Sequence, residues 1–439
     1  MKNHSYLREF ARYTSLDVLG MLGLSFYILA DTFFIAQGMG NTGLTALNLA
    51  IPLYGLIYGS SLMLGQGGAT RFSLYLGQDI KGESSQAYSR ALVIGAAISA
   101  LFVLWGVFGS GLISRLLGAD AETYEMCRCY VKVLLIFSPG FMLNNITQAF
   151  VRNDGAPQLA MTAMIIGSFS NVLLDYLLIF PLHLGMFGAI LATCLAPLIS
   201  LGVLLPFFIK KRNHFHICQT RLSLPIAGRL CSSGVPALVT ELSSGLVMLV
   251  FNLIILRISG NVGVAAYGVV ANFSLVVISI YNGIAQGSQP LLSRYCGQGR
   301  QDALDKLLGY GLGSIIGLSL LFYLGIFLGA EQIAAIFNPE QNPLLQQIAR
   351  RGLRIYFSGG LFAGINIMLA TYFAAIAQAR PGSLISICRG FLFILPLAFL
   401  LAFLLRMDGL WAAFPVTELL VSVMALLLYR HFRRKERRG

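Results

Sequence analysis

The sequence predicts an all-α polytopic membrane protein with twelve transmembrane helices in two pseudo-symmetric six-helix lobes. A very apolar composition and an internal repeat are the two observations behind this prediction. Of the 439 residues, 56% are hydrophobic and 11% are charged, and the mean hydropathy is +0.75. A soluble globular protein carries about 25% charged residues. Most of this chain is therefore expected to lie in a lipid bilayer.

Twelve apolar runs are long enough to cross a bilayer as helices. A helical span needs about 20 residues, whereas a strand of a transmembrane barrel has about 10 residues of alternating character. A helix also satisfies every backbone group within its own segment. The first run lacks the short core and cleavage site of a signal peptide, so it counts as a span. The predicted spans are 13–37, 45–71, 91–113, 130–151, 158–181, 186–209, 234–257, 263–291, 308–329, 350–377, 383–405 and 409–429.

The distribution of basic residues predicts that both termini face the cytoplasm. In that orientation the cytoplasmic segments hold most of the 31 lysines and arginines, as the positive-inside rule requires. The tail RRKERR at 433–438 adjoins a span, so contact with anionic lipid is favoured over nucleic-acid binding. The predicted location is the plasma membrane, here a bacterial inner membrane, with no nucleic-acid partner.

An internal repeat divides the chain into two halves. GNTGLTA at 40–46 aligns with GNVGVAA at 260–266, and the register continues without a gap through residue 78. An even number of spans per half gives both halves the same orientation, which is the parallel repeat of many secondary transporters. The predicted domains are an N-lobe (1–209, spans one to six), a cytoplasmic linker (210–230) and a C-lobe (231–439, spans seven to twelve) with the basic tail.

Polar residues at matched depth indicate a site in the N-lobe. Asn171 and Asp175 lie one turn apart on span five. Thr193 lies on span six, as far after the connecting turn as Asp175 lies before it, so the two can meet in an antiparallel hairpin. Asp31 on span one is also about 10 Å from the outer end of its helix. A charged residue in a span costs about 2.5–3.5 kcal/mol on insertion scales, so these carboxylates need a reason.

Carboxylate, amide and hydroxyl oxygens are hard ligands that suit Na⁺ or a proton. Two close carboxyl groups in a medium of low dielectric could also hold and release one proton. The structural alternative is a set of hydrogen bonds between helices. The repeat argues against it, because the residues opposite Asp31 and Asp175 are Phe251 and Phe399. A purely architectural set should recur in both halves.

Other polar and aromatic residues in the spans are weaker candidates. Glu241 on span seven could contact a cationic substrate or cap a local irregularity of its helix. Glu418 on span twelve is predicted to pair with Arg389. Candidates for supporting the cation site are Asn144, Asn145 and Gln148. Candidates for lining a substrate cavity are Tyr54, Tyr58, Tyr281 and Phe273.

Catalytic and cofactor-binding motifs are missing from the sequence. It contains no HExxH metalloprotease motif and no GxxxxGK[ST] phosphate loop. The seven cysteines are scattered without a CxxC, so they are predicted to pack as small apolar side chains. The sequence therefore predicts neither an enzyme nor a bound cofactor.

Several stretches resemble multidrug and toxic compound extrusion (MATE) transporters over nearly the whole chain. They are ADTFFIAQGMGNTGLTALNLAIP (30–52), GQGGATRFSLYLGQ (65–78), NVLLDYLLIF (171–180) and FGAILATCLAP (187–197). The resemblance implies a transporter whose coupling Na⁺ or H⁺ binds at Asp31, Asn171, Asp175 and Thr193, with Glu241 similar to an acid of some members. Many relatives carry an early proline in the first span. Here Gly20 and Gly23 remain without it, so bending of this helix is in doubt.

The expected function is antiport, in which amphipathic or cationic organic compounds leave in exchange for H⁺ or Na⁺ through a monomer surrounded by lipid. A lipid-linked oligosaccharide flippase of the same superfamily is the main alternative, and it would require a basic cavity. An intramembrane hydrolase would require a nucleophile–base set or metal ligands within the spans. A channel would show flux without coupling.

Overall fold

The computed structural model describes residues 2–221, 223–338 and 341–436, and within these ranges the chain forms helices and no strand. Residues 437–439 of the predicted tail and Leu222 of the predicted linker lie outside the described residues. Nine helical runs in the described ranges are apolar and long enough to cross a membrane, counting one bent pair as a single span. Three of these runs contain two spans each, which confirms the prediction of twelve.

The twelve segments follow one another with short connections. The bounds are α1 (2–39), α2 (41–77), α3 (81–116), α4 (124–153), α5 (Pro157–Ile179), α6 (Gly185–Ile209), α7 (224–259), α8 (261–297), α9 (Gln301–Ile336), α10 (Pro343–Ala375), α11 (379–405) and α12 (407–436). Helix α4 consists of two parts bent by 49°. Because the number of spans is even, both termini lie on one side of the molecule, which we call the terminus side.

The repeat predicted from the sequence is present in the backbone. Helices α1 and α2 run on without a loop except at Gly40, which has φ 63° and ψ −155°. Gly260 breaks α7 from α8 with φ 61° and ψ −156°. This left-handed conformation strains residues that carry a Cβ. The two aligned glycines thus make the same turn in each half.

The segment that connects the two halves packs against the first half. Helix α7 begins at Leu224, inside the segment predicted as a linker. Phe215 is fully buried there, with ring centroids 4.6 Å from Tyr88 and 5.4 Å from Phe150. Beside it, the backbone N–H and Nδ1 of His214 contact the Asp154 carboxylate at 2.7 and 2.8 Å. Burial raises the pKa of Asp154 above its ordinary value, and the contacts with His214 oppose this shift.

The two halves pack tightly on the terminus side, where glycines let backbones approach. A Cβ at Gly234 of α7 would overlap the carbonyl group of Met63 of α2, and a Cβ at Gly67 would overlap the carbonyl of Leu230. On α8, a Cβ at Gly287 would lie 2.7 Å from the Thr14 Cα of α1. Small residues of this kind permit close helix contact in membranes.

Hydrogen bonds between the halves lie on the same side. Asn153 of α4 donates to the side-chain oxygen of Gln289 on α8 at 3.1 Å, and Gln289 donates to Thr70 of α2 at 3.0 Å. Nearer the middle of the membrane, Ser25 donates to Ser279 at 2.6 Å. Among the described residues, the bond of Ser25 is the side-chain hydrogen bond between the halves that lies farthest from the terminus side. All the others lie closer to that side.

The predicted pairing of Glu418 with Arg389 is confirmed. Arg389 donates through Nε and Nη2 to one carboxylate oxygen at 3.0 and 2.8 Å. Asn366 donates to the other oxygen at 2.7 Å. Ser422 in turn donates to the Asn366 side-chain oxygen at 3.0 Å. The carboxylate of the second half is therefore neutralised within its own lobe.

Candidate cation-binding site

The hairpin of α5 and α6 positions three of the predicted site residues. Its turn is short, with His183 at φ 50° and Gly185 at φ 54°. Just after the turn, a Cβ at Gly188 would lie 2.9 Å from the Leu178 carbonyl oxygen, so the glycine lets the two helices pack closely. Residues equally far from the turn then face each other at one depth, as the sequence predicts for Asp175 and Thr193.

Asn171 connects these two residues in the structure. With its amide oriented to satisfy both partners, Asn171 donates to the Asp175 Oδ2 at 3.0 Å and accepts from the Thr193 backbone N–H at 3.2 Å. The Thr193 hydroxyl lies 3.5 Å from the same amide group and donates to the Ala189 carbonyl at 3.2 Å. Asn171 and Asp175 are fully buried and Thr193 is 4% exposed. The predicted trio thus forms one buried cluster.

Helix α1 adds the fourth predicted residue. The Asp31 carboxyl, 8% exposed, lies within hydrogen-bonding reach of the Asp175 carboxyl. The Oδ1 atoms of both groups are buried and lack a hydrogen-bond partner in the described part of the chain. The structure thus brings all four predicted residues together and leaves two carboxyl oxygens free to bind a ligand.

Helix α1 passes this site without a break. Its helical conformation is continuous up to Gly40. A Cβ at Gly20 would lie 2.9 Å from the Met164 Sδ of α5, and one at Gly23 would lie 3.6 Å from the Ile165 side chain. The two glycines, which the sequence left as candidates for a bend, serve here as the packing surface of α1 against α5.

A cavity of about 60 Å³ lies beside the cluster, within the first half. Thr193 is shared between the cluster and the cavity wall. The predicted supporting residues also line it: Asn145 donates to Ser61 at 2.7 Å and Gln148 donates to Ser200 at 3.4 Å. They hydrogen bond to neighbouring helices and make no described hydrogen bond to either aspartate. Asn144 lines the cavity too, and its buried Oδ1 has no partner among the described atoms.

Two predicted aromatic residues line this cavity and two do not. Tyr54 and Tyr58 stack with centroids 5.6 Å apart on its wall. Tyr281 instead lies in the core of the second half, 1% exposed, where its hydroxyl accepts from Ser319 at 2.8 Å. Phe273 packs edge-on against Phe337, which directly follows α9 in the second half. Neither is among the described residues that line the cavity, because their faces of α8 pack within their own lobe.

Glu241 lies between the two halves, outside this cavity. A Cβ at Gly59 of α2 would be 3.0 Å from the Glu241 Cβ, and one at Gly55 would be 3.2 Å from its carbonyl oxygen. The residue therefore packs α7 of the second half against α2 of the first. Its role as a substrate contact stays a prediction.

Tyr27 belongs to the site, although the sequence reasoning missed it. Its hydroxyl is 2.9 Å from that of Tyr54 and it lines the cavity. It lies one helical turn before Asp31 and close to both carboxyl groups. The spacing of four residues between Tyr27 and Asp31 could have indicated this, since residues at i and i+4 share a helix face.

Comparison with known proteins identifies the family. The sequence profile described as MatE matches residues 18–177 and 236–400, one stretch in each half. The chain belongs to the MatE family. Its members are transporters, so the chain is a multi-pass membrane transporter and not an enzyme, as predicted.

Curated proteins and solved structures agree with this MatE assignment. The chain is 24% identical over 415 residues to the multidrug export protein MepA of Staphylococcus saprophyticus, covering 94% of this chain and 90% of that protein. It is 25% identical over 418 residues to MepA of Staphylococcus aureus, with the same coverage. The fold matches a crystal structure of MATE in complex with MaL6 at TM-score 0.92 and 21% identity, covering 98% and 97% of the chains. It also matches an outward-facing multidrug resistance MATE family transporter at TM-score 0.91 and 21% identity, covering 98% and 96%.

Proposed function

We propose that this transporter exports amphipathic organic compounds, many of them cations, in exchange for H⁺ or Na⁺. The MepA relatives are named as multidrug export proteins, which supports this class of substrate. The observation that carries the coupling proposal is the buried contact of Asp31 with Asp175, supported by Asn171 and Thr193. These four residues form the proposed cation-coupling site.

A proton is the first candidate for the coupling ion. Two ionised carboxylates within hydrogen-bonding reach in a buried site would repel each other strongly, and one shared proton removes that repulsion. Na⁺ is the second candidate, because the free Oδ1 atoms of both aspartates and the oxygens of Asn171 and Thr193 are hard ligands. In both cases the arriving cation neutralises the acidic pair, and its departure restores a charge that disfavours burial.

We place the terminus side in the cytoplasm, as the positive-inside rule predicts for a bacterial plasma membrane. The close contacts between the lobes then seal the cytoplasmic side. Asp31 and Asp175 would lie in the outer half of the membrane, where external cations arrive. Rocking of the lobes about their contact would open the other side. This alternation allows one cation-loaded and one substrate-loaded form without a continuous channel.

The flippase alternative is less well supported. A site for a pyrophosphate group needs arginine or lysine side chains. The described residues that line the N-lobe cavity include no charged side chain, and the adjacent charged pair is acidic. These features favour a site for cations.

Transport in proteoliposomes tests the proposal. Uptake of a fluorescent planar cation such as ethidium is measured under an imposed pH gradient and, separately, an imposed Na⁺ gradient. We expect Asp175→Asn to reduce gradient-driven uptake at least about tenfold, because the amide keeps the shape of the carboxyl group but cannot ionise. Asp79→Asn is the matched control, since Asp79 is exposed on the terminus side and its φ of 59° suits asparagine.

Folding of each variant is checked by thermal unfolding and by equilibrium binding of ethidium. Full gradient-driven uptake by a folded Asp175→Asn variant would contradict the coupling site. Uptake of ethidium by the wild-type protein at its full rate without either gradient would contradict antiport and favour a channel. The gradient that drives the wild-type protein identifies the coupling ion.

A further inference from the structure

A second cavity, of about 180 Å³, lies on the terminus side where the two halves meet. Helices α2, α3 and α7 each contribute to its wall. The charged residues that line it are Arg71, Glu83, Arg90 and Arg229. It is separate from the acidic cluster, which lies on α1, α5 and α6, and it shares no lining residue with the cavity beside that cluster.

The charges in this cavity do not balance. Three arginines and one glutamate line it. Glu83 pairs with Arg90 at 2.9 Å, and Arg90 also donates to Thr220 at 3.1 Å. Arg71 and Arg229 have no carboxylate within salt-bridge distance in the described residues. The cavity therefore retains two positive charges on opposite lobes.

Arg71 is poorly satisfied by the protein itself. Its Nε is buried and has no hydrogen-bond partner among the described atoms. Its Nη2 reaches only the Arg229 carbonyl oxygen, at the long distance of 3.4 Å. A buried donor without a partner destabilises the folded protein, and more so when it is charged. An anion in the cavity would remove this cost and the repulsion between the two guanidinium groups.

The backbone around the cavity also favours an anion. Helix α3 begins beside it, at residue 81. The N-terminus of a helix carries free N–H groups and the positive end of its dipole. Guanidinium groups and helix N-termini both bind phosphate.

Apolar side chains next to the cavity point to a lipid as the source of the phosphate. Leu224, the first residue of α7, is 90% exposed, and Ile80, just before α3, is 44% exposed. A soluble phosphate would gain nothing from these side chains, whereas the acyl chains of a lipid would cover them. Basic pockets between helices on the cytoplasmic side of membrane proteins bind anionic headgroups.

We propose that Arg71 and Arg229 bind the phosphate headgroup of an anionic lipid from the leaflet on the terminus side. Bound there, the headgroup bridges α2 of the first lobe and α7 of the second. It stabilises the arrangement in which the lobes are closed on this side.

Binding is tested with the full-length protein in detergent micelles. Thermal unfolding is followed as phosphatidylglycerol, phosphatidylcholine or inorganic phosphate is added, because a ligand that binds the folded state raises the Tm. We expect phosphatidylglycerol to raise the Tm of the wild-type protein, with little effect of the other two. Each of Arg71→Gln and Arg229→Gln should weaken the apparent affinity about fivefold.

Control variants separate this site from general charge effects. Arg12→Gln removes an exposed arginine on the terminus side of α1 and should respond like the wild type. Arg71→Lys keeps the charge and should retain part of the effect. Arg229 is exposed, so its variant tests the site even if Arg71→Gln fails to fold. An equal response of all variants to phosphatidylglycerol would overturn the proposal, and a full effect of inorganic phosphate would overturn the lipid as its occupant.

Discussion

Substituting Gly234 should open the seal between the two lobes. In Gly234→Ala, the new Cβ on α7 would overlap the carbonyl group of Met63 on α2. The obstacle is backbone and cannot rotate away, so the helices must separate. Overpacking of this kind costs about 1–3 kcal/mol. Because α7 is helical whether the seal is closed or open, the helix propensity of alanine does not offset this cost, which should disfavour the closed seal by about fivefold to 150-fold.

The matched control for this change is Gly228→Ala. Gly228 lies on the same helix, but a Cβ there meets no atom within 4 Å. The control should gain the helix propensity of alanine without opening the seal. Gly67→Ala should act like Gly234→Ala, because its Cβ would overlap the Leu230 carbonyl on the other side of the same contact.

Cysteine labelling measures the opening. Cys231, half-buried on α7 next to the seal, is kept as the only cysteine, and its reaction with a membrane-impermeant maleimide is followed in everted vesicles. We expect Gly234→Ala and Gly67→Ala to react about fivefold or more faster than Gly228→Ala. Equal labelling rates in all three proteins would refute the reasoning that these glycines hold the lobes together.

Two further predictions concern stability. Glu418→Gln should lower stability by about 3–5 kcal/mol, because it leaves the Arg389 charge buried without its partner. Adding Arg389→Gln should restore part of the loss, and strictly additive Tm changes in the double variant would contradict a coupled pair. Phe215→Ala should cost about 3–5 kcal/mol, since this fully buried ring joins the inter-lobe segment to the first lobe. Ile217→Ala, at a side chain that is 79% exposed, is its control, and equal Tm values for the two would show that the segment is a loose linker.

The hairpin part of the site could be predicted from the sequence because a short turn fixes depth. Once α5 and α6 pack antiparallel, counting residues from the turn places Asp175 beside Thr193, and helical spacing adds Asn171. Asp31 was different. Its depth in the membrane could be predicted from the length of α1. The rotation of α1 about its axis, which turns the Asp31 side chain toward α5, could not. That rotation depends on which face of α1 packs against α5, and the glycines at 20 and 23 determine it only through contacts with residues far along the chain.

The aromatic candidates show the limit of such reasoning. Every membrane helix has faces toward lipid, its own lobe and the cavity, and an aromatic side chain suits all three. Tyr54 faces the cavity and Tyr281 faces the core of the second lobe, although both lie mid-helix in similar apolar surroundings. Only the arrangement of helices α8 to α10 distinguishes them. The same holds for Phe215, whose burial depends on a pocket formed by α2, α3 and α4.

The two lobes use their buried acids in opposite ways, and this contrast is the main reason to assign coupling to the first. The sequence from Gly185 to Thr193 on α6 aligns with that from Gly409 to Thr417 on α12, so Glu418 follows the counterpart of the site threonine. Glu418 is neutralised by a fixed positive charge, because the guanidinium of Arg389 pairs with it in the same lobe. The acidic pair of the first lobe has no basic side chain among the described residues within salt-bridge distance. A carboxylate that is already paired with an arginine gains little from binding a mobile cation. Two buried carboxyl groups without a basic partner gain much more from one. Under the coupling that we propose, neutralisation of the pair changes the free energy of the first lobe and leaves the second as the fixed partner against which it moves.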